Sequence, residues 1–439
     1  MLDKDTKKIF AIALPAALNN FLDMLQILVD MLFIGRISPQ AIAGVGLSMQ
    51  LIGFLYASIT IFSVGTSSII AQFVGAKRIN NAKVATFTNA IVSLIFSIPF
   101  TVFLFLFSKL FFSTFTDNEI VLNLSSDYIK VLSFSVPFLF VGAVFVSTSN
   151  GYGDTKTPLI IGIVGNIINT ILDFLLIFGN FGFPRLEVRG AAIATSIAYI
   201  SEVIIYLVLI YKRQIIGLLP LFNKKVLKKT LQIGIPSGLE RIIIYSSFML
   251  FVWIISQYGV YTLAGYQIGL RIEGLAFMPG FGFAIAAMTL VGQSIGEKNI
   301  LKAKKLGLRT AYISAFIMQT VGVFIFLFSD SLANIFTNDS KTIKEASLYL
   351  KVVAISQFPL AIDFVLSGAL RGSGASKVSL AINTLCLWIF RLIPAFFITI
   401  TLKNLLLVYL IMVIETFIKG FVIWYIFAKN KWVKEIKYA

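Results

Sequence analysis

Apolar stretches of about 20 residues follow one another along almost the whole chain. That is roughly the length at which an α-helix crosses the hydrocarbon core of a bilayer. Inside hydrocarbon every backbone N–H and C=O must be bonded within the protein, which leaves only helices and closed barrels as spanning structures. No period-two alternation marks the strands of a barrel. Composition points the same way: of 439 residues 58% are hydrophobic and 13% charged, against about 25% charged in a soluble protein. The expected fold is an all-α polytopic membrane protein.

Apolar runs and turn residues place spans near 10–35, 44–72, 86–110, 126–149, 157–180, 190–211, 231–257, 262–292, 306–329, 344–370, 378–400 and 405–428. Basic residues gather in a few of the segments between them. They are Lys77, Arg78 and Lys83; Lys212, Arg213, Lys224, Lys225, Lys228 and Lys229; Lys298, Lys302, Lys304, Lys305 and Arg309; and Lys429, Lys431, Lys434 and Lys437. Short loops rich in Lys and Arg mark the cytoplasmic side, so both termini and the even-numbered connections are expected there. The net charge of +17 therefore reads as topology, and nucleic acid is not an expected partner. No small-residue cleavage site follows MLDKDTKKIF and its apolar run, so that run is expected as a retained first helix.

The chain repeats itself in one constant register, without gaps. AQFVGAKRINNAK at 71–83 matches GQSIGEKNILKAK at 292–304. The same register pairs Pro15 with Pro236, Tyr128 with Tyr349, Lys130 with Lys351, and Gly151, Gly153 and Lys156 with Gly372, Gly374 and Lys377. Six helices per copy is an even number, so both copies enter the membrane in the same sense. Twelve helices are expected as two pseudo-symmetric six-helix lobes, 1–211 and 231–439, joined by a cytoplasmic linker at 212–230. A cavity between such repeats is a typical transporter site.

Charge inside a spanning helix is costly, roughly 2.5–3.5 kcal/mol at its centre, and each instance needs a reason. On the first helix Asn19, Asp23, Gln26 and Asp30 recur at helical spacing and form one polar stripe, which faces the bundle interior or water. On the fifth, Asn166, Asn169 and Asp173 form another, and Thr195 lies in the small-residue run GAAIATS on the sixth. Two carboxylates with an amide and a hydroxyl make a cluster of hard oxygens. Such a cluster could hold Na⁺ or share a proton between crowded acids, and spacing does not choose.

The second lobe does not copy this set: in the repeat register Asn169 meets Phe390 and Asp173 meets Pro394. Its own acids include Glu240 in IPSGLER, Glu273, and Asp363 in PLAIDFVLSG, which join Asp23 and Gln26 as candidates for substrate attraction or secondary coupling. Glu240 could instead pair with Arg241 or Arg391. Glu415 and Lys419, four residues apart, read as an internal ion pair. Phe277, Met278, Phe281 and Phe283 are candidates for an apolar cavity lining. With no histidine and a single cysteine, Cys386, neither a disulfide framework nor a transition-metal site is expected. No cofactor and no enzymatic nucleophile–base pair is expected either. GSGASK at 372–377 lacks phosphate-loop spacing.

Together these features resemble the MATE family, the multidrug and toxic compound extrusion transporters. The resemblance rests on the two six-helix copies, Pro15, VDMLFIGRIS with Asp30, GTSSIIAQFVGAKR, GYGDTKTP, NIINTILD, GAAIAT and LRGSGASK. It implies a secondary antiporter of the prokaryotic cytoplasmic membrane that exports cationic amphiphilic compounds against inward H⁺ or Na⁺. Carried over by motif, the coupling site is Asp30, Asn169, Asp173 and Thr195, with Na⁺ or a proton as the coupling ion. Small organic cations and membrane lipids are the implied partners, and a monomer the working unit. The alternative is a lipid or lipid-linked oligosaccharide flippase of the same superfamily, for which Arg241, Arg271 and Arg391 speak.

Overall fold

The computed structural model describes residues 3–213, 217–436 and 438. They form α1 (Lys4–Gly35), α2 (Pro39–Gly75), α3 (Ile79–Phe112), α4 (Glu119–Ser133), α5 (Val136–Tyr152), α6 (Lys156–Phe178) and α7 (Glu187–Arg213). There follow α8 (Lys224–Ser256), α9 (Val260–Gly296), α10 (Ile300–Asn334), α11 (Ser340–Ala354), α12 (Gln357–Gly372), α13 (Ser376–Leu385), α14 (Ile393–Thr401) and α15 (Leu405–Ala428). A π-helical stretch, Cys386–Leu392, joins α13 to α14 in one span. Among the described residues ten helices suffice to cross a membrane singly, and two bent pairs make twelve spans if each pair is counted once.

Those pairs correct two expectations. The spans at 126–149 and 344–370 are broken helices, α4 with α5 at 55° and α11 with α12 at 61°. Proline causes both breaks. Pro137 and Pro359 stand in the first turn of α5 and α12, where a missing N–H is tolerated, but the ring excludes the carbonyl four residues back. The preceding helices end there, at Ser133 and Ala354. The linker is also shorter than expected, because α8 already begins at Lys224 and the lysine-rich stretch forms its first turns. Residues 214–216 of that linker, and Lys437 of the last basic cluster, lie outside the described residues.

The repeat is written into the element boundaries. Pro39 and Val260, Gly75 and Gly296, Ile79 and Ile300, Glu119 and Ser340, and Val136 and Gln357 are all partners in the register that pairs Pro15 with Pro236, and all begin or end a helix. The caps repeat too. Asn118 accepts from the N–H groups of Ile120 and Val121 at 3.0 and 3.2 Å, and its counterpart Asp339 accepts from Thr342 N at 2.8 Å. At the other end of the motif, Lys77 and Lys298 take left-handed φ values of 57° and 59° to close α2 and α9. Each turn is sealed by a backbone bond, Arg78 N to Phe73 O and Asn299 N to Ser294 O. Close packing repeats as well: a Cβ on Gly151 would fall 2.9 Å from Ser67 O, and one on Gly372 would fall 2.1 Å from Met288 O.

The chain forms two compact units, residues 18–234 and residues 1–17 with 235–439. In the first, α2 packs on α3, α4 and α5, and α7 packs on α6 and α4, around a core that includes Val45, Phe62, Phe112, Phe140 and Ile177. In the second, α9 packs on α10, α11 and α12, with α15 against α12. Helices α1 and α8 change unit within their length, beside Pro15 and Pro236. The opening of α8 seats on α2 through Gly234, where a Cβ would come 1.9 Å from Ile61 O. The opening of α1 seats on α9 through Gly282, where a Cβ would come 2.4 Å from Ala13 O. Ile61 is the repeat partner of Gly282, and Ala13 that of Gly234, so the same crossing is made with glycine on opposite partners.

Candidate functional site

In the first unit the α1 stripe meets the α6 stripe through Gln26. Its amide nitrogen donates to Asp30 Oδ1 at 2.6 Å and to Asn169 Oδ1, and its oxygen accepts from Thr170 Oγ1 at 3.1 Å. The Asn169 amide donates to Thr195 Oγ1 at 3.4 Å. Turned over, the same amide would donate to Asp30 Oδ1 at 3.0 Å and accept from Thr195 N at 3.1 Å. Either way Asn169 lies between α1 and α7. The helices thus bring together Asp30, Asn169, Asp173 and Thr195, with Gln26 as the link.

Asp173 is fully buried and Asp30 is nearly so. Their carboxyls lie against each other, and no other group among the described residues donates to either oxygen of Asp173. No Lys or Arg forms an ion pair with either acid among those residues. The buried phenol of Tyr128 faces both carboxyls and Thr195. Toward the other end of the stripe, Asn19 donates to the exposed Asp23 at 3.1 Å. Glu202 of α7 lies across Gly165 of α6, where a Cβ would sit 2.2 Å from its Oε1.

The second unit treats its buried acids differently. Glu240 accepts from Arg371 at 2.8 Å, Asn383 at 2.7 Å and Ser379 at 3.0 Å. Arg241 instead lies over the Tyr245 ring, and Arg391 belongs to Glu415, so neither of the two arginines beside Glu240 in expectation is its partner. Asn383 also bonds Ser367, which bonds Asp363. Asp363 pairs with Lys419 at 3.2 Å, Lys419 lies 3.6 Å from Glu415, and Glu415 pairs with Arg391 at 2.6 Å. Glu273 has no basic partner among the described ion pairs; it accepts from the Tyr349 hydroxyl at 2.5 Å and Gln357 at 3.5 Å.

Of the apolar candidates, Phe277 and Phe281 pack on Phe364, and Phe283 is buried against Phe10. GSGASK closes α12 through Gly374, whose φ of 84° matches the 87° of Gly153; it is a helix-ending turn. Sequence reasoning missed Tyr128, Arg371, Ser367 and Asn383 as members of these clusters. Ser379 and Asn383, one turn apart on α13, were the signal that could have found the Glu240 site.

Comparison with known proteins adds a family match, two relatives and two solved structures. The family model MatE matches residues 15–175 and 236–397, one match per repeat, each beginning at one of the two repeat-related prolines. A protein of Thermotoga maritima named probable multidrug resistance protein NorM is 35% identical over 410 residues, covering 89% of this chain and 85% of that protein. The probable multidrug resistance protein YoeA of Bacillus subtilis is 26% identical over 383 residues, covering 85% and 82%. Among solved structures, one described as the outward-facing conformation of a multidrug resistance MATE family transporter of the MOP superfamily superposes with a TM-score of 0.91. It is 22% identical and covers 99% of this chain and 97% of that one. A MOP superfamily transporter from Pyrococcus furiosus gives 0.91 at 21% identity with the same coverage.

Proposed function

Because this chain belongs to the MatE family, we propose that it is a secondary antiporter that exports cationic amphiphilic organic compounds against inward Na⁺ or H⁺. The coupling site in this reading is Asp30, Asn169, Asp173 and Thr195, with Gln26 holding α1 to α6. The observation that carries it is Asp173. Its two buried oxygens meet no polar partner but a second carboxyl and no basic group among the described residues, and so call for a cation or a proton. A buried charge is tolerated only when paired or coordinated. A Na⁺ would take oxygen ligands from Asp30, Asp173, Asn169 and Thr195, and a proton would bridge the two carboxyls; both satisfy the same deficit.

Transport follows from that deficit. An entering cation offsets one of the pair's two negative charges and draws α1, through Asp30 and Gln26, against α6 and α7. The repacking favours release of the organic cation on one side, and loss of the coupling ion on the other resets the site. A potential of 100 mV supplies roughly 2.3 kcal/mol per charge moved, enough to bias the cycle strongly. In this reading both termini are cytoplasmic, as the basic clusters favour, and a monomer in the lipid bilayer suffices for the cycle.

The test is drug-stimulated cation flux in proteoliposomes, with Na⁺ and pH gradients imposed separately. Asp30→Asn and Asp173→Asn should each abolish gradient-driven efflux while the protein still inserts and folds. Full gradient-driven efflux in both variants would reject this site.

A further inference from the structure

We propose that the Lys419 ammonium is a tethered cation, permanently seated between Asp363 and Glu415, and that it closes to mobile cations a carboxylate pair which would otherwise bind one. Lys419 thereby keeps the Asp363–Glu415 pair out of cation exchange and leaves the Asp30–Asp173 pair of the first unit to carry it. The confinement part of this inference rests on the reading of Asp30 and Asp173 given above.

The geometry is that of an occupied site. Lys419 Nζ lies 3.2 Å from Asp363 Oδ2 and 3.6 Å from Glu415 Oε1. Asp363, Glu415 and Lys419 are all at most 6% exposed. The other Glu415 oxygen is taken by Arg391 at 2.6 and 3.1 Å. Oε1 is left with no hydrogen-bond partner, facing only the ammonium. Ser367 Oγ stands 3.4 Å from Asp363 Oδ1. Take the ammonium away and what remains is two carboxylates and a hydroxyl converging from α12 and α15, a set of hard oxygens suited to Na⁺.

Charge bookkeeping supports the same assignment. Glu240, Asp363 and Glu415 are matched by Arg371, Lys419 and Arg391, so an additional cation entering this network meets no uncompensated negative charge. The repeat says the arrangement is not demanded by the scaffold. In the repeat register Asp363 corresponds to Gly142 and Arg391 to Thr170, so the first unit carries neither that acid nor that base. Asp30 and Asp173 lie on different helices without a basic partner among the described residues, whereas Asp363 and Glu415, also on different helices, share Lys419; Glu273 is the one buried acid of the second unit outside these described ion pairs.

The experiment uses the purified full chain and reads bound radioactive sodium together with protons taken up per molecule near neutral pH. The variants are Asp30→Asn/Asp173→Asn, the same pair with Lys419→Met, and Lys419→Met combined with Asp363→Asn as a neutral control. The first should lose the cation bound by the native chain. Adding Lys419→Met should restore one bound Na⁺ or one proton, and Asp363→Asn should remove it again. No gain of either cation in a folded Lys419→Met chain overturns the proposal. Retention of cation in Asp30→Asn/Asp173→Asn instead rejects the first-unit site, and the Lys419→Met increment is then read against the native chain. If Lys419→Met does not fold, Asp363→Asn alone decides. It should leave the number of cations bound and their half-saturation unchanged, and a loss of one bound cation would overturn the assignment.

Discussion

Asp173→Asn should make the cation-free protein more stable while destroying its coupling. With neither proton nor cation between them, both Asp173 oxygens are buried with no polar partner but the facing Asp30 carboxylate. An unsatisfied buried polar atom costs about 1–3 kcal/mol, and a hydrogen bond to a charged group returns about 1.5–3 kcal/mol. Asparagine removes the charge and supplies an N–H₂ that can donate to Asp30, so a gain of about 2–4 kcal/mol is expected from these terms. The gap should close when the coupling ion is present, because a ligand at 100 times its Kd stabilises the folded state by about 2.7 kcal/mol. The assay is thermal unfolding of the detergent-solubilised protein across a Na⁺ series at constant ionic strength, repeated across pH. The native chain should gain several °C on saturation with its coupling ion, and the variant should start higher and stay flat. A variant that melts below the native chain, or that responds to the ion as the native chain does, would refute the reasoning.

Other perturbations test the frame around the site. Gly372→Ala should cost more than Gly151→Ala, since its Cβ would meet Met288 O at 2.1 Å rather than Ser67 O at 2.9 Å. Overpacking of this kind costs about 1–3 kcal/mol, and the order of the two melting temperatures is the readout. Lys77→Gly and Lys298→Gly should each stabilise the fold by up to about 1 kcal/mol, because left-handed backbone is costly for any residue with a Cβ; chemical denaturation measures it. Arg391→Met should destabilise by about 3–5 kcal/mol by stranding the buried Glu415, and Arg391→Met/Glu415→Gln should recover most of that loss. Hydrogen bonds from Thr342 hold the Asp339 carboxyl below its ordinary value of 3.8. Its capping stability is therefore full above that value and fades as pH falls through the lower folded-state value. The destabilisation by Asp339→Ala should accordingly vanish in acid, whereas that of Asn118→Ala should not.

Much of this was legible because membranes make sequence periodic. Spans follow from hydrocarbon thickness, and the repeat register reappears in helix boundaries from Pro39 to Gln357. Helical spacing also put Asp30 and Gln26 on one face and Asn169 and Asp173 on another, and those faces do meet. What spacing cannot supply is the partner across a helix interface. Glu240 finds Arg371, far along the chain, and Asp363 finds Lys419 rather than any neighbour in sequence. The breaks before Pro137 and Pro359 escaped because both prolines sit inside stretches apolar enough on average to read as one span, and hydropathy is blind to a bend. Tyr128 looked like part of the repeat alone, and its repeat partner Tyr349 does hold an acid in the second unit.

The exchange of helix openings has a consequence for how such a chain could arise. Severed at the linker, neither half would contain a whole compact unit. The first would carry residues 1–17 with no partner surface, and the second would carry the opening of α8 in the same state. A six-helix chain with this architecture completes itself only by lending its leading segment to a second copy and receiving one in return, the logic of a swapped dimer. Joining two such copies end to end makes the loan permanent, and frees each copy to diverge in the charges it buries.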